Sequence, residues 1–241
     1  MNKTLLLALS LLTFTACVRK EPKITKFVCT TRPIQPIENL KIIDKPIDFR
    51  AKRIALTKEY IKTHYGKTVN NINIVPKIIV LHWTAEPDFK KSFNRLKPQI
   101  LLTDRKDISK ASRLNVSAQF LIDRDGAIYR LMPENQMARH IIGLNYYSIG
   151  VENVGGKDNK VDDLTPAQHQ ANKDLVRYLK HKYPSIKYLI GHHEYTKMEH
   201  TPLWLEKDKG YRTIKADPGD RFMADIRESV KDLRLKRPPK N

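Results

Sequence analysis

The chain has 241 residues, and its 45 Lys and Arg residues against 26 Asp and Glu residues give a formal net charge of +19. This length favours one substantial domain with additional terminal segments. The charge favours anionic partners, yet the sequence lacks the basic and aromatic motifs of nucleic-acid-binding modules, so no nucleic-acid partner is expected. A solvated basic surface without a specific ligand is the alternative. Two cysteines are too few for a disulfide framework.

The first 16 residues have the pattern of an export signal. Lys3 provides a basic start, residues 5–12 are mostly apolar, and small or polar residues lead to Ala16. The apolar run is too short for a membrane-spanning helix. Cys17 follows directly, and this segment resembles the lipobox of bacterial lipoproteins, which implies lipidation of Cys17. A plain secretory signal is the alternative.

Residues 17–50 are predicted to be the lipidated N-terminus and an extended tether, because Lys, Thr and Pro are frequent there. Val18 follows the cysteine, and by analogy with enteric lipoproteins this favours the outer membrane, facing the periplasm. We therefore expect a monomeric protein of the cell envelope that is held to the membrane by a lipid anchor. Residues 51–235 are predicted to form the folded domain, and residues 236–241 a basic tail.

Helical and strand patterns alternate through the predicted domain. Apolar spacing predicts helices over residues 50–65, 89–102 and 220–233, and a further helix that begins at Thr165 and Pro166. Buried or alternating apolar runs predict strands over residues 72–83, 117–122, 127–132, 147–154 and 187–190. This alternation predicts a single α/β domain.

Metal-capable residues stand at the predicted strand ends. His82 ends one apolar strand, His192 follows Gly191 at the end of another, and Asp217 lies in a later segment. Two imidazoles and one carboxylate are typical of a catalytic zinc site with an open fourth position. His193 would point away from His192 on extended backbone. Taken alone, a histidine in the setting of His82 more often has a structural, hydrogen-bonded role.

Other polar residues supply acid/base chemistry. Glu152 alternates with apolar neighbours and is either paired in a salt bridge or free to act as a general base. Lys215, two residues before Asp217, can stabilise an oxyanion, and Glu194 can orient an imidazole. Together these residues predict metal-assisted hydrolysis. His200 is a rival ligand without a strand-end setting.

Residues 77–219 resemble the type-2, AmpD/AmiD-like family of zinc-dependent N-acetylmuramoyl-L-alanine amidases. The segments that carry the resemblance are VLHWT (80–84), VSAQFLIDRDG (116–126), ARH (138–140), SIGVE (148–152), GHHE (191–194) and KADPG (215–219). The resemblance implies a central mixed β-sheet flanked by helices, as in peptidoglycan recognition proteins. It implies Zn²⁺ on His82, His192 and Asp217, with Glu152 as general base and Lys215 polarising the scissile carbonyl.

The substrate implied by this resemblance is peptidoglycan or a muropeptide, cut between N-acetylmuramic acid and L-alanine. His140, at the position of a cleft histidine in the family, with Asn145 and Trp83, is expected to contact the substrate. Gln119 stands where many relatives have His. Residues 195–213 form an insertion that is either passive or a cleft wall or lid containing Trp204.

Two other functions fit the same fold. One is a non-catalytic peptidoglycan-binding lipoprotein, which would need neither Glu152 nor Lys215. The other is a zinc peptidase that cuts within the stem peptide, which the absence of a His-Glu-x-x-His motif disfavours.

Overall fold

The computed structural model of the protein describes residues 40–240. Within these residues, the strands are β1 (Ile42–Asp44), β2 (Ile78–Trp83), β3 (Phe120–Ile122), β4 (Ile128–Arg130), β5 (Ser148–Asn153) and β6 (Tyr188–Gly191). The α-helices are α1 (Ala51–Tyr65), α2 (Phe89–Leu96), α3 (Lys106–Ser109), α4 (Pro166–Lys182) and α5 (Asp220–Ser229).

The six strands of the described residues form one sheet in the order β1-β4-β3-β5-β2-β6. Four neighbouring pairs are parallel, and β3 pairs with β4 in antiparallel fashion. The antiparallel pair is closed by a turn in which Gly126 donates its backbone N–H to the Asp123 carbonyl at 2.9 Å. The predicted single α/β domain with a central mixed sheet is confirmed.

Strand β2 lies between β5 and β6 and is buried along its whole length. Ile79 and Leu81 belong to a core cluster that includes residues of α4 and α5. Ile78 and Val80 point to the opposite face and belong to a cluster that includes residues of α1. Burial on both faces explains why the sequence of this strand is a continuous apolar run.

Helix α4 begins where the sequence predicts. The Thr165 hydroxyl accepts from the Gln168 backbone N–H at 3.1 Å, and the Gln168 side chain accepts from the Thr165 N–H at 3.0 Å. Pro166 occupies the first helical position, where no hydrogen-bond donor is needed. Helix α2 ends at Leu96, earlier than predicted, because Pro98 has no backbone N–H with which to continue the helical hydrogen bonds.

The segment before α1 differs from the predicted tether. β1 pairs with β4, and Ile47 is buried, so residues 42–47 belong to the folded part of the chain. The proline and lysine content of the segment predicts a linker, but its isoleucines bury against the sheet. The predicted signal peptide, Cys17 and residues 18–39 lie outside the described residues. Among residues 40–240, no helix combines the length and apolar character needed to cross a bilayer.

The predicted basic tail also begins within the fold. The Leu189 N–H donates to the Lys236 carbonyl at 3.0 Å, and the Lys236 N–H donates to the Lys187 carbonyl at 2.8 Å. Lys236 therefore extends the sheet beside β6.

Candidate active site

The candidate site lies at the carboxyl ends of three adjacent parallel strands. His82 is the penultimate residue of β2, Glu152 is the penultimate residue of β5, and His192 directly follows β6. Ligand sites of open α/β sheets occur at this edge of the sheet. Strand pairing thus brings together residues that are far apart in sequence.

His82, His192 and Asp217 form a buried cluster. The two Nδ1 atoms are 3.0 Å apart, and Asp217 Oδ2 lies 3.2 Å from His82 Nδ1 and 3.0 Å from His192 Nδ1. Ligand atoms bound tetrahedrally to zinc at about 2.0–2.1 Å are separated by roughly 3.4 Å. The spacing and the donor set therefore fit a zinc ion. Within residues 40–240, this is the one group of three His, Cys, Asp or Glu side chains that lie close enough together to share a metal ion.

The charge states of the cluster suit metal binding. Burial lowers the pKa of His192 to about 4, so its imidazole is neutral at physiological pH. Burial alone would raise the pKa of Asp217, but His192 and His82 outweigh it and hold that pKa well below its usual range. A neutral imidazole and an ionised carboxylate are the states required of metal ligands.

A short 3-10 helix, His192–Met198, positions His192. The sequence predicts that Glu194 orients an imidazole, but in the structure its carboxylate has other partners. Its Oε2 accepts from the Gly191 backbone N–H at 2.8 Å, and its carboxylate pairs with Arg227. The start of a helix leaves backbone N–H groups free, and a glutamate in its first turn reaches back to one of them. Glu194 therefore fixes the turn that presents His192.

The other two histidines of this region lie outside the cluster. His193 Nδ1 is 3.0 Å from the Asp217 carbonyl oxygen, and its Nε2 is 3.0 Å from Asp220 Oδ1. His200 is exposed to solvent. The structure therefore brings His192 to the cluster and uses His193 to hold the chain at Asp217.

Glu152 and Lys215 both line the cavity that contains the cluster. Burial raises the pKa of Glu152 to about 7, and the nearby Asp217 carboxylate adds to this effect. Oε2 of Glu152 is shielded from solvent and has no hydrogen-bond partner. Burial lowers the pKa of the Lys215 ammonium. A carboxylate with a pKa near 7 can accept and return a proton at neutral pH. An ammonium in the same cavity can stabilise negative charge that develops on the substrate.

The cavity has a volume of about 430 Å³ and a cationic lining. Four basic side chains line it, namely Arg95, Arg105, Arg139 and Lys215. Three carboxylates also line it, namely Glu86, Glu152 and Asp217. With a divalent cation on the cluster, the positive charge would predominate further.

Trp83 lines this cavity, as the predicted substrate contact requires. Its Nε1–H donates to Asn159 Oδ1 at 2.7 Å. The indole packs over Gly156, where a Cβ atom would come within 2.2 Å of the ring. Gly156 thereby leaves room for the indole in the cavity wall.

The other predicted substrate residues have structural partners. Asn145 Oδ1 accepts from the backbone N–H groups of His140 and Ile141 at 2.9 and 2.8 Å, and its amide donates to the Tyr65 hydroxyl. His140 Nδ1 forms a hydrogen bond with His82 Nε2 at 3.0 Å. Both residues line the cavity, but their polar atoms are engaged within the protein.

The insertion contributes to the cavity through residues other than Trp204. Tyr211 and Thr213 line the cavity wall. The Trp204 indole stacks on Tyr195 with ring centroids 6.0 Å apart, and it covers Gly143. Trp204 is not among the residues that line the cavity, because its ring packs into the core of the insertion.

Gln119 also lies away from the cavity. It is fully buried, its Oε1 accepts from the Gly150 N–H at 2.7 Å, and its Nε2 donates to the Gln136 carbonyl at 2.8 Å. Gln119, which stands where many relatives have His, therefore makes no contact within the cavity.

Sequence reasoning missed part of the lining. Tyr60 of α1, Arg105 beside α3, and Arg139 line the cavity together with the predicted residues. Arg139 precedes His140 within the ARH segment, and that adjacency is a signal that could have identified it. Tyr60 and Arg105 have no local signal, because only the packing of their helices brings them to the site.

The protein is therefore an α/β domain with a mixed sheet and a candidate metal centre of the hydrolytic type. The His-His-Asp cluster of this centre lies at the carboxyl ends of the parallel strands. The chain belongs to the N-acetylmuramoyl-L-alanine amidase family, whose family model matches residues 72–220, more than half of its length.

Individual relatives agree over shorter regions. The endolysin of Klebsiella phage KP32 is 37% identical over 84 residues, and that of Escherichia phage T7 is 39% identical over 84 residues. Each alignment covers 34% of this chain and 55% of the relative, so the chain spans about half the length of these curated relatives.

The fold is also similar to that of a solved structure. The endolysin N-acetylmuramoyl-L-alanine amidase LysCS from Clostridium intestinale URNW is 23% identical, with a TM-score of 0.50. The alignment covers 83% of this chain and 99% of the LysCS chain, which shows likeness of fold.

Proposed function

We propose that this protein is a zinc-dependent amidase that hydrolyses the bond between N-acetylmuramic acid and L-alanine in peptidoglycan or muropeptides. The observation that carries this proposal is the juxtaposition of two groups. The buried cluster of His82, His192 and Asp217 shares one cavity with the unpartnered carboxylate of Glu152. Membership of the amidase family supports the choice of this amide as the bond cut.

Zn²⁺ is the proposed cofactor. Nδ1 of His82, Nδ1 of His192 and Oδ2 of Asp217 would hold it, since these atoms converge at distances of 3.0–3.2 Å. When bound there, zinc would supply Lewis acidity that polarises a carbonyl group and makes water more acidic.

Glu152 is the proposed general base. Its pKa near 7 allows it to accept a proton from the attacking water and to return that proton to the departing amine. The absence of any partner on Oε2, among the described residues, leaves this atom available for both transfers.

Lys215 is the proposed oxyanion stabiliser. The attack of water on the lactyl carbonyl creates negative charge on the carbonyl oxygen. An ammonium held in a half-buried position stabilises such charge more strongly than one in bulk water. Lys215 lines the same cavity as Glu152 and Asp217, which allows it to reach that oxygen.

The substrate class fits the electrostatics of the cavity. Stem peptides carry carboxylates, and the cationic lining attracts them. Trp83 provides an apolar surface next to the reacting bond and is proposed as a substrate contact. Of the other predicted contacts, His140 and Asn145 would act on the substrate only through the residues that they position, and Trp204 packs outside the cavity lining.

Digestion of purified sacculi tests the proposed function. The wild-type protein, a Glu152→Gln variant and a chelator-treated sample are incubated with sacculi, and the soluble products are identified by mass spectrometry. Free stem peptides that begin with L-alanine, released only by the untreated wild type, are the expected result. Shortened peptides still attached to sugar would instead indicate a peptidase, and binding without release would indicate a non-catalytic wall-binding protein.

We also propose that the protein is a monomeric lipoprotein of the outer membrane, facing the periplasm. The motif at residues 1–17 supports this location, and these residues lie outside the described part of the chain. Metabolic labelling with a palmitate analogue in a Gram-negative host, followed by membrane fractionation, tests it. Label on the wild type and not on a Cys17→Ala variant is expected, and label on both would contradict lipidation at Cys17.

A further inference from the structure

A chain of hydrogen bonds runs from His82 into the interior of the domain. His82 Nε2 is 3.0 Å from His140 Nδ1, and His140 Nε2 is 3.1 Å from Ser148 Oγ. Ser148 Oγ is in turn 3.0 Å from the carbonyl oxygen of Leu144. This series of hydrogen bonds therefore starts at Nε2 of His82, the nitrogen that faces away from the candidate metal cluster, and ends at a backbone carbonyl.

The final carbonyl determines the direction of every bond. A carbonyl oxygen only accepts, so the Ser148 hydroxyl donates to Leu144. Ser148 Oγ then accepts from His140, which requires a proton on His140 Nε2. A neutral imidazole carries one N–H, so His140 Nδ1 has a free lone pair and accepts from His82 Nε2. The proton of a neutral His82 is thus on Nε2, and its Nδ1 lone pair is directed at Asp217 and His192.

We infer that His140 and Ser148 are positioning residues, which hold His82 in the tautomer and ring orientation that present Nδ1 to the metal site. This role goes beyond the ligand set and rests on the zinc site of the proposed function. Partners that bond the distal nitrogen of a ligating histidine commonly fix its tautomer in this way.

The surroundings of His140 are built to hold its ring. Asn145 accepts from the His140 backbone N–H, which fixes the turn that carries the ring. Gly150 leaves room for the ring, since a Cβ at that position would lie 2.8 Å from its atoms. Ser148 is fully buried and His140 nearly so.

Two variants of His140 separate its hydrogen bond from its bulk. His140→Phe keeps an aromatic ring but removes the acceptor, while His140→Asn keeps an acceptor atom close to the position of Nδ1. Zinc affinity is measured by competition with a chromogenic chelator, with folding checked by circular dichroism. We expect the Kd for zinc to rise about 10–100-fold in His140→Phe and to stay within about threefold of wild type in His140→Asn.

His64 provides a matched control. It is also buried, stacks on Tyr60 with ring centroids 4.2 Å apart, and does not line the cavity. His64→Phe should reduce stability without changing the zinc affinity of the folded protein. Equal loss of affinity in His140→Phe and His64→Phe would reduce the role of His140 to ordinary packing and overturn the inference. Equal loss in His140→Phe and His140→Asn would do the same.

The tautomers are also directly observable in the metal-free protein. Long-range ¹H–¹⁵N spectra of the wild type should show His140 protonated on Nε2 and bare on Nδ1, and His82 protonated on Nε2. In Ser148→Ala, the Nε2–H of His140 loses its acceptor, and the Kd for zinc should rise by a smaller factor, about two- to fivefold. The opposite tautomer of His140 would overturn the inference even if zinc binds. Failure of the wild type to bind zinc would overturn the proposed function and this role together.

Discussion

The Cα atoms of His82 and Glu152 are direct partners across the parallel pair of β2 and β5. A candidate ligand and a candidate base therefore arise from neighbouring strands, one residue before each strand ends. Backbone hydrogen bonds of the sheet hold both residues, so their separation does not depend on a mobile loop. Sites that are built on rigid elements are positioned more reproducibly than sites on loops.

Glu152 is expected to reduce stability at neutral pH, because Oε2 of its carboxylate is shielded from solvent and has no hydrogen-bond partner. Its pKa is about 7 in the folded protein, against a reference value of 4.5. The folded state therefore binds this proton more tightly, and stability falls as pH rises from about 4.5 to about 7. Zinc-free Glu152→Gln should be more stable than wild type at pH 8, by up to about 3 kcal/mol.

Urea unfolding with a chelator at pH 4.5 and pH 8 measures this difference. Glu59→Gln is the control, since Glu59 is exposed on α1. An advantage of Glu152→Gln that is equally large at both pH values would contradict the assignment of a buried, titrating carboxylate.

Asp217 is expected to be required for zinc binding. Its carboxylate is the sole acidic member of the three-residue cluster, and Asp217→Ala leaves only two imidazoles as ligands. At a zinc concentration of 1,000 times the Kd, binding should stabilise the wild type by about 4 kcal/mol. Thermal unfolding with and without zinc should show this stabilisation in the wild type and in Asp220→Ala, whose carboxylate is almost fully exposed. Retention of the full zinc effect in Asp217→Ala would refute the ligand set.

The strand-end residues of the site could be predicted from sequence because each one has a local signal. His82 ends an apolar run, and Gly191 marks the turn before His192. Parallel strands then bring their carboxyl ends together, so local patterns were sufficient to place these residues at one edge. The sequence does not reveal that Tyr60 and Tyr211 share the same cavity, since only tertiary packing of α1 against the insertion brings them together.

Two other features show where local composition misleads. The aromatic residues of the insertion predict a substrate wall that contains Trp204, but composition does not determine which side of a loop faces the cleft. β1 has only three residues in a segment rich in lysine and proline. Its pairing with β4 depends on a neighbour that lies far away in the sequence, so no local pattern indicates it.

Trp204 is expected to contribute to stability and not to catalysis. Its indole packs on Tyr195 and over Gly143, outside the cavity lining. Trp204→Ala should destabilise the protein by about 2–3 kcal/mol, less than a fully buried tryptophan would. The kcat/KM of the folded variant on sacculi should match that of wild type. A selective loss of kcat/KM, with stability unchanged, would restore the substrate-binding role predicted from sequence.

His64 and Glu206 form a buried pair that should make stability depend on pH. The atoms His64 Nδ1 and Glu206 Oε1 are 3.0 Å apart. Burial lowers the pKa of His64, but the Glu206 carboxylate and the Ala111 carbonyl outweigh it, and the net pKa is raised above 6.5. Protonated His64, paired with the Glu206 carboxylate, therefore stabilises the fold fully below pH 6.5. This stabilisation is lost as pH rises through the raised pKa of His64.

The comparison of His64→Phe with wild type at pH 6 and pH 9 tests this dependence. Removing one partner of a buried ion pair costs about 3–5 kcal/mol, so the variant should be strongly destabilised at pH 6 and less so at pH 9. His181→Phe, at an exposed position of α4, should show no such dependence. A destabilisation of His64→Phe that grows with pH would contradict the protonated pair.

Ile214 is expected to contact the substrate. Its side chain is fully exposed, and it lies on a ridge that lines both the catalytic cavity and a neighbouring cavity of about 250 Å³. Because nothing in the described structure packs on it, Ile214→Ser should change the free energy of unfolding by less than about 0.5 kcal/mol. Loss of an apolar contact with bound substrate should lower kcat/KM on sacculi by about tenfold. Val161→Ser, at another exposed apolar side chain that does not line the cavity, should leave kcat/KM unchanged. If Ile214→Ser and Val161→Ser both match wild type, the substrate does not cross this ridge.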